Sequence, residues 1–234
     1  MSFDPRVFGE GFHQFVQKEI ELFGSSLGVI FHIVTFIILF LIFRYGNKYR
    51  KIFTIYFTFN WIFLFGYWGI YAVVYWFKLG IPYMAVYSLT PVLLGLIVYY
   101  WIKENINPLI DWDFKSTSRK MFIVLIILVW GLWYPSYIYG QGFVFSIKDV
   151  VFSNYGLMPC PTTMVVLSLM TLKYPVGNRN LYKLFTVYAL FIGTATVMSG
   201  WVPDVPFIVL GIYSLSLIIY NKKRDRQKNK INER

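Results

Sequence analysis

The sequence predicts an all-α fold, a polytopic helical membrane bundle of about seven transmembrane helices. Its amino terminus is expected outside and its carboxyl terminus in the cytoplasm. Three observations lead there. Hydrophobic residues make up 57% of the 234 and charged residues only 14%, against about a quarter charged in soluble domains. Charge-free apolar runs recur near the roughly 17 to 25 residues that a helix needs to cross the hydrocarbon layer. Lysine and arginine, finally, gather in alternate connections between those runs.

Residues 1–26 read as an external amphipathic helix. Asp4 suits the N-cap and Pro5 the first helical position. Phe8, Phe12, Phe15, Val16, Ile20 and Phe23 share one stripe, from which Glu10, Gln14, Gln17, Lys18 and Glu21 fall away. Such a helix fits the headgroup boundary, and the alternative is a lid over the outer mouth of the bundle. These residues are unlike a cleavable signal peptide, so the first span is expected to act as its own insertion signal.

The transmembrane domain is assigned to 27–220. Its spans are Leu27–Phe43, Ile52–Phe77, Ile81–Ile102 with Pro91, Met121–Gly140 with Pro135, a fifth ending at Leu172, Leu184–Ser199 and Val205–Tyr220. The last two are short and share the turn "GWVPDVP", so a hairpin that stops below the outer surface is an alternative to two full crossings. A basic cytoplasmic tail, 221–234, follows.

With seven spans, 18 lysines and arginines fall on one side and 4 on the other. The positive-inside rule makes the richer side cytoplasmic. A prokaryotic cytoplasmic membrane is the expected location, and the lipid bilayer the expected partner. The tail from Lys222 onward is placed to contact anionic lipid headgroups, although orienting the chain is a sufficient role for it. Net charge +11 does not signal nucleic acid, because no base-reading module accompanies it.

No Asp, Glu, Lys or Arg lies inside a proposed span. That disfavours a retinal Schiff base, which needs a buried lysine, and a carboxylate-driven pump. Asp149 and Asp204 are assigned to the outer face. The intramembrane polar groups are His32, Thr35, Thr54, Thr58, Asn60, Ser88, Thr90, Thr162, Thr163, Ser168, Thr194, Thr196 and Ser199. Bonds between helices are their default use, and His32 is also able to change charge near neutral pH. Gly66, Gly69, Ala189 and Gly193 are small enough to let helices approach closely. The chain holds no phosphate-binding glycine loop, HExxH or GxSxG, and nothing in it specifies a cofactor.

The segment "GLMPCPTTMVVLSLMTL", residues 156–172, contains the single cysteine. Pro161 suits a first helical position, with Cys160 as cap. From Pro161 to Leu172 is about 18 Å at 1.5 Å per residue, too short to cross. The helix therefore starts below the outer surface, and the preceding residues descend to meet it. Irregular backbone at that depth must be enclosed by protein or line a water-filled cavity. Three readings follow: a kink carrying a buried, inert thiol, a helix break facing a solute, or a soft-metal site from Met158, Cys160 and Met164. The metal reading is the weakest and is not adopted. The candidate solute-binding residues are Cys160, Thr162, Thr163, Asn60 and His32, with no catalytic residue assigned.

The run Pro159-Cys160-Pro161-Thr162-Thr163 after Tyr155-Gly156 resembles the signature of a prokaryotic family of small multi-spanning membrane proteins of unknown function with a PCPTT-type motif. The aromatic amino-terminal helix and second span share the likeness loosely. That family admits Asp at the position of Cys160, which implies a shared need for a polar group at a helix start rather than for a thiol. Binding or permeation of a small solute at the broken fifth helix is the leading expectation. A non-transporting assembly factor, partner subunit or sensor is second, and a membrane enzyme third.

Overall fold

The computed structural model describes residues 5–78, 84–114, 122–138 and 141–232. Within them the chain is mostly helical. Helix α1 (Pro5–Tyr45) turns through a short 3-10 segment, Gly46–Tyr49, into α2 (Arg50–Leu64). A π-helical stretch, Phe65–Tyr71, carries α2 into α3 (Ala72–Lys78), and α4 (Met84–Ile106) and α5 (Phe122–Trp133) follow. Two short strands, β1 (Ser136–Ile138) and β2 (Gly142–Val144), precede α6 (Asp149–Phe152). The chain ends with α7 (Pro159–Leu172), α8 (Arg179–Met198), a 3-10 turn at Val202–Asp204, and α9 (Val205–Asn232).

Among the described residues three helical stretches are long and apolar enough to cross a membrane: Ser26–Tyr75, Arg179–Met198 and Val202–Asp225. Phe122–Trp133 and Pro159–Leu172 are shorter apolar helices. The first stretch doubles back. Phe31 meets Tyr56 and Phe63, Phe23 meets Phe63 and Tyr67, and Phe15 meets Tyr67, Trp68 and Tyr75. As one sequence number falls the other rises, which only an antiparallel pair produces.

The surface is apolar. Phe40, Phe59, Phe122, Ile126, Phe191 and Ile212 are all exposed, a distribution suited to lipid rather than water. All fourteen residues of α7, by contrast, are buried. This fourteen-residue apolar helix is thus the axis around which α5, α8 and α9 pack.

The expected segments differ from the observed ones in five ways. Helix α1 does not break at residue 26, so the outer helix and first span form one rod, with Phe15 and Phe23 packed on the π-helical stretch. Asp4 and the side chains of Phe8, Phe12, Val16 and Ile20 lie outside the described residues. The fourth span ends at Trp133 rather than 140, and the fold is not purely α. Pro135 has no amide to continue the helix, Tyr134 takes a positive φ of 34°, and β1 pairs antiparallel with β2.

Helix α7 starts at Pro159, two residues earlier than expected, with Met158 as its cap. Prolines at the first and third positions are both tolerated because those amides have no helical acceptor. The sixth and seventh helices are longer than their apolar cores. Helix α8 has 20 residues, and α9 has 28, carrying the basic tail on as helix. Finally, α4 extends past Ile102 and buries Glu104 completely.

Three connections meet at one end of the bundle. Asn47 donates to Asp111 at 2.6 Å and accepts from the Trp112 amide at 2.8 Å. Lys173 pairs with Asp111 at 3.5 Å. Glu104 accepts from the Leu109 and Ile110 amides and from Asn178, each at 2.8 Å. The basic connections therefore share one end, as their composition requires. Among the small residues, Gly69 lies against Phe65 and Pro91, Gly193 against Phe207 and Ile208, and Ala189 opposite Gly211. Gly66 faces open space.

Candidate functional site

The segment 153–158 leads into α7. It is irregular, it is buried apart from Asn154, and protein groups satisfy its polar backbone. Asn60 of α2 donates to the Gly156 carbonyl at 2.8 Å, and Trp68 to the Leu157 carbonyl at 2.8 Å. The Gly156 amide donates to the Thr162 hydroxyl at 3.1 Å, and the Leu157 and Met158 amides donate to the Asn154 carbonyl. Asn60 lies ten residues into α2, about 15 Å along its axis from Arg50. Enclosure by protein is one of the two conditions under which irregular backbone tolerates such depth. Gly156 has φ +79°, and a Cβ there would stand 2.6 Å from the Cβ of Phe31. Both its conformation and its setting require glycine.

His32 holds the same loop from α1. Its Nδ1 is 2.8 Å from the Gly28 carbonyl, and its Nε2 is 3.1 Å from the Leu132 carbonyl and 3.0 Å from the Ser153 hydroxyl. One turn on, Thr35 donates to the Tyr155 hydroxyl at 3.0 Å and lies 2.6 Å from that of Tyr56. Of the expected solute-binding residues, His32, Asn60 and Thr162 therefore converge on one loop. Thr163 donates back to the Pro159 carbonyl at 2.7 Å.

Cys160 faces elsewhere, and its surroundings were not read from the sequence. Its thiol faces the carboxylate of Asp204, which is fully buried. Tyr134 donates to Asp204 Oδ1 at 2.7 Å and Thr196 to Oδ2 at 2.7 Å. Trp201 donates through Nε1 to the Tyr134 hydroxyl at 2.7 Å, and Tyr137 of β1 packs edge-on against Trp201. Trp130 donates to the Pro203 carbonyl at 3.0 Å.

Three segments thus place two hydroxyls and a thiol around one carboxylate beneath a short aromatic hairpin. Among the described residues no Lys, Arg or His forms an ion pair with Asp204. The positive φ of Tyr134 is strained for a bulky side chain, at a cost of order 1–3 kcal/mol. That strain directs its hydroxyl at the acid. The signal in the sequence was weak: an Asp between two prolines in the turn joining two apolar helices.

Among the described residues no three of His, Cys, Asp and Glu come together in a way that would hold a metal ion. The side chains of His13 and Asp149 lie outside the described residues. No protein-family model, curated protein or solved structure matches the chain.

Proposed function

We propose that this chain is a seven-crossing protein of a prokaryotic cytoplasmic membrane that binds or conducts a small solute. In this reading the basic end lies inside, and the protonatable Asp204 cluster above α7 couples the solute to a proton. The observation that carries the proposal is a fully buried carboxylate that, among the described residues, is met by Tyr134 and Thr196 and faced by Cys160. Ionisable groups within a membrane bundle are costly and mark relays or binding sites by default. The broken fifth helix keeps its role, but the acid at its start replaces Thr162 and Thr163 as the bearer of the chemistry. Kinship with the PCPTT-type family belongs to the same proposal, and an acid facing the Cys160 position accords with a family that admits Asp there.

The test is proton entry into dye-loaded proteoliposomes after an external acid step. Wild type is expected to acidify the lumen faster than protein-free vesicles, and Asp204→Asn, which retains hydrogen-bonding capacity, to abolish the difference. Equal rates for wild type and Asp204→Asn, with both folded, would sink the proposal.

A second reading is a non-transporting membrane component. It is favoured by the complete burial of α7 and by the use of Asn60 and Thr162 as internal partners of the loop. The same vesicles separate the two readings, since this one expects no protein-dependent flux.

A further inference from the structure

At the basic end, α8 and α9 enclose a cavity of about 410 Å³ that the solute reading does not use. Arg179 and Lys183, one turn apart on α8, and Lys222 on α9 line it with Tyr174, Asn221 and Asp225. Three cationic side chains face one carboxylate, and among the described residues none of the three forms an ion pair. Arg224 lies beside the cavity and donates to Asn221 Oδ1 at 2.9 Å. Such a concave, partly compensated basic site is built for an anion of more than one oxygen.

The position of the cavity identifies the source. It sits where Arg179–Met198 and Val202–Asp225, two stretches able to cross a membrane, leave their apolar portions. One turn beyond Lys183, Val187 and then Phe191 are exposed on α8, and on α9 Leu215 and Ile219 are exposed just above Asn221. An anion held between Arg179, Lys183 and Lys222 has hydrocarbon-compatible surface directly beside it. Basic pockets between transmembrane helices at this level suit phospholipid headgroups. Asp225 and Asn221 add acceptors for a headgroup hydroxyl.

We infer that this cavity is a binding site for the phosphate headgroup of an anionic phospholipid, its acyl chains lying along the exposed α8–α9 flank. The site is distinct from non-specific attraction by the tail, because it requires Arg179 and Lys183, which lie outside the tail.

Native mass spectrometry of the full chain in neutral detergent tests it, with dioleoylphosphatidylglycerol, dioleoylphosphatidylcholine and inorganic phosphate as probes. The first phosphatidylglycerol adduct is expected to form at lower concentration than any phosphatidylcholine adduct. In Arg179→Gln/Lys183→Gln it should weaken about thirtyfold, at roughly a factor of five per basic side chain. Lys51→Gln/Lys223→Gln removes the same charge from exposed residues that are not among those lining the cavity and is expected to leave the adduct nearly unchanged. Equal weakening by both pairs would reduce the effect to general attraction and overturn the site. Equal binding of phosphatidylcholine would overturn its charge selectivity. Displacement of the lipid by inorganic phosphate at equal concentration would assign the cavity to a soluble anion instead.

Discussion

Trp68→Phe and Asn60→Ala should release the buried loop, and the lone cysteine reports the release. Each substitution removes one bond of 2.8 Å, to the Leu157 and Gly156 carbonyls respectively. A buried acceptor left without its partner costs about 1–3 kcal/mol. Since every 1.4 kcal/mol is a factor of ten, local opening should rise about five- to 150-fold in either variant. Cys160 is 4% exposed and two residues beyond the loop, so its reaction with a small thiol reagent should scale with that opening. Trp61→Phe is the matched control. Trp61 is buried as well, but among the described residues its Nε1 has no hydrogen-bond partner, so the variant loses the same volume without losing a bond. The assay is the rate of mass gain in detergent under folding conditions. Should Trp68→Phe and Asn60→Ala label no faster than Trp61→Phe, the loop is not held by these bonds. Wild type reacting at the rate of a free thiol would refute the buried arrangement itself.

Gly156→Ala should destabilise the fold by about 2–5 kcal/mol in thermal unfolding, combining a left-handed backbone penalty of about 1–2 kcal/mol with overpacking of about 1–3. Gly177→Ala sets a Cβ 2.0 Å from the Leu109 carbonyl oxygen and should be among the least stable variants. Gly66→Ala meets nothing within 4 Å and should be neutral or gain up to about 1 kcal/mol in the same melt. Glu104→Ala strands two amides and Asn178, and a loss of about 3 kcal/mol or more is expected, with Glu104→Gln milder because one acceptor oxygen remains. The Asp111 carboxyl is held below the usual range first by the Asp113 amide, then by Asn47, with Lys173 assisting. Its contribution is present above the ordinary carboxylate value and fades as pH falls through the lowered one. Asp111→Asn should therefore flatten the acid limb of the stability profile below about pH 4, a small effect at an exposed site.

The helices and their shared basic end were legible because apolar run length and lysine placement are local properties. The shortness of α7 was legible too, since Pro161 and Lys173 bracket a helix too short to cross, although it begins two residues earlier, at Pro159. Asp204 was not. Its burial depends on Tyr134, Cys160 and Thr196, which are brought together by the packing of three helices, and "GWVPDVP" alone reads as a polar surface turn. The gathering of His32, Asn60 and Thr162 on one loop was not legible either, for a related reason. Asn60 and Thr162 were recognised as polar groups near the break, but sequence cannot tell a hydroxyl facing water from one capping a neighbouring carbonyl. The strands at 136–144 were missed because an aromatic run with a single proline has no strand-specific period in a chain this apolar.

The dependence of residues 153–158 on Asn60 and Trp68 bears on how the chain is made. Those six residues cannot rest in lipid by themselves, since their carbonyls would find no donors there. Asn60 belongs to α2 and Trp68 to the π-helical stretch that continues it, and both leave the ribosome about ninety residues earlier. Synthesis from the amino terminus thus has the receptor in the bilayer before the group that needs it is exposed. A carboxyl-terminal fragment beginning near residue 134 would reach the membrane with its central segment unsheltered. Co-expression with the amino-terminal portion should restore it, making the two parts of the chain donor and client in a single assembly step.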